Sequence, residues 1–168
     1  MDESWGSGQK NLRGFRYSGC ARVLFERLQR AGSGYLMDYQ PVIIVGAPRS
    51  GTNMLRDVLT CFDSVATWPC DEINYIWRHG NVRYPSDEIP AQRATPTIKN
   101  YIRQRFSIIR KKYNADFVVE KTCANSLRVP FVDAVMPDAK FIFIYRDGID
   151  ATGSAKERWT AKLDIPYI

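Results

Sequence analysis

The segment Pro41-Val42-Ile43-Ile44-Val45-Gly46-Ala47-Pro48-Arg49-Ser50-Gly51-Thr52-Asn53 constrains the fold more than any other part of the chain. Its first half is a short β-branched apolar run, the composition of a strand buried on both faces. The run breaks into a loop with two glycines, and Met54, Leu55, Val58 and Leu59 then recur at helical spacing. Strand, loop and helix in this order bring unpaired backbone N–H groups and the positive end of a helix dipole to one point, which makes an anion site. The general phosphate loop G-x-x-x-x-G-K-[ST] has the same glycine spacing, met here by Gly46 and Gly51. Its lysine position is Thr52, and the cation lies inside the loop as Arg49. The loop is therefore expected to hold a phosphate without the chemistry that lysine performs on a terminal phosphate.

Two later segments repeat the layout. Residues Pro137 to Asp147 read as a turn, a buried strand near 140–145 and a charged strand end, and Gly148 to Trp159 as a helix with Asp150 in its first turn. Within them runs R-D-x-x-D-x-x-x-S, from Arg146 to Ser154. An arginine ending a strand and a serine two turns into the next helix can face one crevice, at the carboxyl ends of parallel strands where open α/β sheets bind ligands. Guanidinium and hydroxyl together make a charge-assisted phosphate clamp. Between the two units, Asp116 to Thr122 reads as a strand near 116–120 ending in Glu120-Lys121-Thr122, with Asn125 to Val135 as the following helix.

The loop form P-x-x-x-V-G-A-P-R-S-G-T-x resembles the 5′-phosphosulfate loop of sulfotransferases that use 3′-phosphoadenosine 5′-phosphosulfate (PAPS). The Arg146–Ser154 motif is similar to that family's 3′-phosphate site, and Glu120-Lys121-Thr122 to the E-K-T/S-P segment of its carbohydrate- and protein-modifying branches. The resemblance covers about residues 41 to 159. It implies a three-layer α/β/α domain with a mainly parallel sheet, of the P-loop-NTPase-like sulfotransferase kind. It also implies that Arg49, Ser50, Gly51, Thr52 and Asn53 surround the 5′-phosphosulfate of PAPS, and that Arg146 and Ser154 grip its 3′-phosphate. Lys121 then lies beside the sulfate and the bridging oxygen, where a preorganised ammonium stabilises the charge that builds as sulfuryl leaves. Loop, Lys121 and Arg49 supply the positive field, so no metal is expected. Cys123 stands where proline is usual, which implies a looser turn. Family members usually continue well past this helix, so the chain is expected to be an incomplete or abbreviated domain.

An acceptor hydroxyl also needs a base. The family's cytosolic small-molecule branch places a histidine in a K-x-H pattern, and Lys121-Thr122-Cys123 lacks it. The branches acting on heparan-type glycans or tyrosyl peptides use a glutamate after the first loop–helix unit, and Glu72 sits at the matching distance. Flanked by Trp68 and Tyr75, its carboxyl is expected to have a raised pKa. Asp71 beside it and His79, the one histidine, remain further candidates. The acceptor is expected to be glycan-like or a small hydroxylated molecule. Two other readings compete: a phosphonucleotide-binding module without turnover, and a P-loop kinase, which Thr52 disfavours.

With 24 Lys+Arg against 18 Asp+Glu the net charge is +6, which suits a polyanionic donor and equally a nucleic acid. Much of the excess is Lys99, Arg103, Arg105, Arg110, Lys111 and Lys112, spaced as the solvated face of an amphipathic helix built on Ile98, Tyr101, Ile102, Phe106 and Ile109. No nucleic-acid motif accompanies them, so no nucleic-acid partner is expected. Cys20, Cys61, Cys70 and Cys123 show no C-x-x-C spacing, which argues against zinc and redox sites. Without a signal-peptide layout or a membrane-length apolar run, a cytoplasmic location is expected. Residues 1–39 read as a flanking segment with a short amphipathic helix, Arg22 to Arg30, and residues 40–168 as the sulfotransferase domain. Tyr84 to Pro96, with three prolines, reads as a loop.

Overall fold

The computed structural model describes residues 38–160; the flanking segment, its expected helix Arg22 to Arg30 and residues 161–168 lie outside them. Strand β1 (Gln40–Gly46) leads through the phosphate-type loop into helix α1 (Thr52–Leu59), and the two-residue strand β2 (Val65–Ala66) follows. A four-residue helix, α2 (Asn74–Trp77), and a 3-10 turn at Ala91–Arg93 precede the long helix α3 (Pro96–Tyr113). Strand β3 (Phe117–Lys121), a 3-10 turn (Cys123–Leu127), α4 (Val129–Val135), β4 (Lys140–Ile144) and α5 (Gly148–Thr160) complete the order. No helix among the described residues is long and apolar enough to cross a membrane.

The four strands form one parallel sheet in the order β2-β3-β1-β4. Central β1 is buried along its whole length, as its unbroken apolar run requires when both sheet faces are covered. Its register sets Ile44 beside both Lys121 of β3 and Ile142 of β4, so the carboxyl ends of all three strands reach the same edge. Ile43, Val45 and Val118 enter the main core with Phe106 and Ile102 of α3 and Phe131, Val132 and Val135 of α4. Val42, Ile44 and Val119 alternate to the opposite face, where α1 lies against β1 and β3. This is the expected α/β architecture, with one correction: β4, expected to be buried, is only half-buried, and Phe143 is exposed, because β4 is an edge strand of the described sheet.

Helix α3 carries the expected amphipathic pattern. Ile98, Ile102, Phe106 and Ile109 are buried, Tyr101 is half-buried, and Thr95 caps the helix by accepting a hydrogen bond from Ile98 N at 3.4 Å. Trp68 and Trp77 meet Phe106 edge-on, with ring centroids 4.6 and 5.8 Å away. The expected single helix from Asn125 to Val135 is instead the 3-10 turn followed by α4, broken at Arg128 (φ −139°, ψ 33°). Pro130 stands in the first turn of α4, where its missing N–H costs nothing. β2 and α2 are too short to show a period in sequence, and both arise from tertiary pairing.

Candidate functional site

Three strand ends build the site. After β1, the loop turns through two left-handed residues, Arg49 (φ 68°) and Gly51 (φ 94°). Gly51 begins α1 without a side-chain cap, so the first amides of the helix lack side-chain partners at the loop. Gly46 is needed for a different reason: a Cβ there would meet Ile144 O at 2.9 Å and Thr52 Cγ2 at 3.0 Å, so its absence lets β4 and α1 close on the end of β1.

After β3, Lys121 is almost wholly buried, its side chain 2% exposed, and its ammonium bonds Glu72 Oε1 at 2.9 Å and Asp71 Oδ1 at 3.2 Å. A buried ammonium must be paired, so this is not a solvated strand-end lysine. Asp71 is a convergence point: Oδ1 also accepts from Asn53 Nδ2 (2.9 Å) and Arg56 Nη1 (2.9 Å), and a second bond from Arg56 reaches its carbonyl at 3.0 Å. Burial would raise the Asp71 pKa, but the bonds from Arg56 and Lys121 outweigh it and hold the carboxyl below the ordinary carboxylate range.

The same balance corrects the expectation for Glu72. Burial would raise its pKa, yet the Lys121 ammonium, the Cys123 thiol and the Cys123 backbone N–H, 3.2 Å from Oε1, hold it below its usual value. Trp68 does not set the environment, because it is buried against Phe106, and Tyr75 is exposed. The bonds from Lys121 Nζ and from the Cys123 amide both fall on Oε1.

The turn at Cys123 is not loose. Asn125 N closes it onto Thr122 O at 2.9 Å, and the Cys123 amide is one of the groups holding Glu72. Proline at this position would supply no such donor.

After β4, Arg146 Nη1 bonds the carbonyl of Arg49 at 2.9 Å, while the Arg49 guanidinium bonds Ser154 Oγ through Nε (3.1 Å) and Nη2 (3.0 Å). Arg49, Arg146 and Ser154 are thus one connected set. Together with Gly51, Thr52, Asn53, Asp71, Glu72, Lys121 and Cys123 they line a cavity of about 310 Å³. Ser50 faces a neighbouring, more apolar hollow of about 580 Å³ with Phe143, Ile144 and Tyr145. His79 lies elsewhere, stacked on Tyr101 with ring centroids 3.5 Å apart, and does not line the 310 Å³ cavity.

Sequence reasoning had passed over Arg56 and the Cys123 amide. Arg56 falls one turn after Thr52 and Asn53, a spacing that puts it on their helix face, and this was the available signal. The amide gave none, since a backbone donor leaves no mark on residue type. Among the described residues no group of three or more His, Cys, Asp and Glu side chains could hold a metal ion.

No curated protein sequence matches the chain. The model of the sulfotransferase family matches residues 41–167, most of the length and all of the elements that build the cavity. On that match and this fold, the chain belongs to the sulfotransferase family.

Proposed function

We propose that the protein transfers a sulfuryl group from PAPS to a hydroxyl or amine of a glycan-like or small hydroxylated acceptor, with Glu72 as base and Lys121 on the donor. The observation that carries this reading is the 2.9 Å contact between Lys121 Nζ and Glu72 Oε1 at the mouth of an uncapped, glycine-initiated helix. The anion loop fits a 5′-phosphosulfate: left-handed Gly51, open α1 amides and the Arg49 cation converge there. Arg146 and Ser154, tied through Arg49, present a guanidinium and a hydroxyl to a second phosphate.

In this mechanism Lys121 is shared between two tasks. Paired with Glu72, it keeps that carboxylate ionised and weakly basic. When a donor's bridging oxygen draws the ammonium away, Glu72 loses its strongest charge partner and its basicity rises. Glu72 then accepts the acceptor proton, the acceptor oxygen or nitrogen bonds to sulfur, and the bond from sulfur to the bridging oxygen breaks. Lys121 stabilises the negative charge left on that oxygen. Asp71 serves this exchange by holding Lys121 and Asn53 in place, and three donors on one oxygen make it a poor base. A kinase-type reaction has no support in the loop, where Thr52 occupies the lysine position.

The test is turnover with radiolabelled PAPS across a panel of sugar and small-alcohol acceptors. Label transfer that Glu72→Gln abolishes supports the reading. Tight binding of 3′-phosphoadenosine 5′-phosphate with no transfer to any acceptor would instead favour a binding module without turnover.

A further inference from the structure

Glu120 and Thr122 take no part in the chemistry just described, yet Glu120 is 1% exposed and Thr122 fully buried. A carboxyl group in that position must have partners. Thr122 Oγ1 donates to Glu120 Oε1, and Asn125 Nδ2 donates to Oε2 at 2.9 Å. Asn125 Oδ1 in turn accepts from Nε of the buried Arg128 at 2.8 Å. The donors run one way, from Arg128 to Asn125 to Glu120, and Glu120 ends the run. A carboxyl group meets both demands of that end, since one of its oxygens accepts from Asn125 while the other meets the threonine hydroxyl.

The far side of this network is the segment that carries Glu72. Thr122 Oγ1 accepts from the Ile73 backbone N–H at 3.2 Å, and Arg128 Nη2 donates to Asn74 Oδ1 at 2.5 Å. Arg128 Nη1 also reaches Asp87 Oδ1 at 3.3 Å, where Arg78 Nη1 binds at 2.8 Å. Four consecutive residues are therefore held by tertiary bonds: Asp71 by Arg56, Glu72 by Lys121 and the Cys123 amide, Ile73 by Thr122, and Asn74 by Arg128. Regular secondary structure does not explain this rigidity, because 71–73 belong to no helix or strand.

We propose that the buried Glu120–Thr122 pair, backed by Asn125 and Arg128, is a positioning unit that fixes the reach of Glu72 through the Ile73 amide. The proposal rests on the reading of Glu72 as the base. Lys121 lies between the two residues in sequence and touches the same glutamate, so one strand end both holds the carboxylate and frames the segment behind it. When Lys121 turns to the donor, the Ile73 and Cys123 amides are what keep Glu72 from swinging away. A carboxylate displaced by about 1 Å loses roughly a hundredfold in rate.

Thr122→Val removes the hydroxyl at nearly constant shape, and Thr122→Ser keeps it. In Thr122→Val, hydrogen exchange read by NMR should speed at the Ile73 and Cys123 amides by roughly five- to tenfold, the effect of one lost hydrogen bond, while the α3 amides stay protected. The Glu72 carboxyl resonance should titrate at higher pH. kcat should fall about tenfold or more with affinity for 3′-phosphoadenosine 5′-phosphate unchanged, and Thr122→Ser should restore all of these. Should Thr122→Val not fold, the same signals are read in Glu120→Met, which keeps the length of the side chain but offers Thr122 and Asn125 no comparable partner. Unchanged Ile73 and Cys123 exchange and an unmoved Glu72 titration in a folded variant would overturn the proposal. A normal kcat in Glu72→Gln would instead overturn the base assignment.

Discussion

The Nζ of Lys121 lies 2.9 Å from Oε1 of Glu72, so the residue proposed to serve the donor and the residue proposed to serve the acceptor are bonded to each other. The lysine ends β3 and the glutamate precedes α2, and their pairing is made across 49 positions of chain. It makes the basicity of Glu72 depend on where Lys121 points.

Removing that ammonium should expose the dependence. Glu72 must be ionised to accept a proton, so activity falls as pH drops through its pKa, and the pairing places that fall below the ordinary carboxylate range. Lys121→Ala should move the acid limb of kcat/KM to higher pH and lower kcat as well, because the leaving oxygen loses its partner. Glu72→Gln should lower kcat by roughly 10²–10⁴ with donor affinity nearly unchanged. Asp71→Asn and His79→Ala, assayed beside it at saturating PAPS, should cost less, Asp71→Asn only what a loosened Lys121 and Asn53 cost; a loss in either larger than that of Glu72→Gln would move the base there.

Donor recognition is tested by comparing nucleotides. The set Arg49, Arg146 and Ser154 should make 3′-phosphoadenosine 5′-phosphate bind more tightly than 5′-AMP in calorimetry. Losing one charge-assisted phosphate contact costs about 1.5–3 kcal/mol, so Arg146→Ala should weaken binding roughly tenfold to a hundredfold. Equal affinity for the two nucleotides would remove the 3′-phosphate assignment.

Gly51 sits at φ 94°, and its missing Cβ would meet only Met54 Cε, at 3.9 Å. The demand there is conformational and not one of space. Gly51→Ala should therefore cost about 1–2 kcal/mol of stability by denaturant titration and weaken donor binding as the loop relaxes. A variant with wild-type stability and binding would show that the left-handed turn is dispensable.

Cys123→Pro gives a sharper probe of the Glu72 clamp. Thr122, at φ −124° and ψ 115°, already has a conformation that tolerates a following proline, so the fold should survive. The amide bond to Glu72 Oε1 and the thiol's contact with the same carboxylate are both lost, and the Glu72 titration read by NMR should move upward. An unmoved titration would mean that Lys121 alone sets it.

Glu120 supplies a separate pH signature. Burial, opposed by the Thr122 bond and the Arg128 charge and reinforced by Glu72, pushes its pKa from 4.5 up to about 7. The folded chain thus holds a proton that the unfolded chain has released, and stability should decline as pH rises from about 4.5 through 7. Asp71, Glu72 and Asp87 are shifted the other way and act at the acid end, below that window. Thermal melts of wild type and Glu120→Gln across pH 5–8 should show the slope in the first and its loss in the second.

Much of this fold and part of the site were legible in one dimension, because they are written in local pattern. The apolar run at 42–45 had to be a buried strand, the glycines 46 and 51 had to serve a turn and a close approach, and the 98-102-106-109 spacing had to face a core. What the sequence by itself determined is the family, the parallel sheet and the set of chain segments that meet at its carboxyl edge. Only the tertiary structure decided how those segments are wired. It turned Asp71 into an anchor, reversed the expected pKa of Glu72, used the amide of Cys123 where proline would have none, and buried Glu120 behind the site. The first three depend on contacts between residues at least 15 positions apart or on a backbone group that every residue type carries, and the burial of Glu120 depends on the core that closes around β3. Periodicity and residue type report how one segment folds upon a neighbour, whereas the balance of charge and desolvation at a carboxylate is set by whatever the finished fold brings beside it.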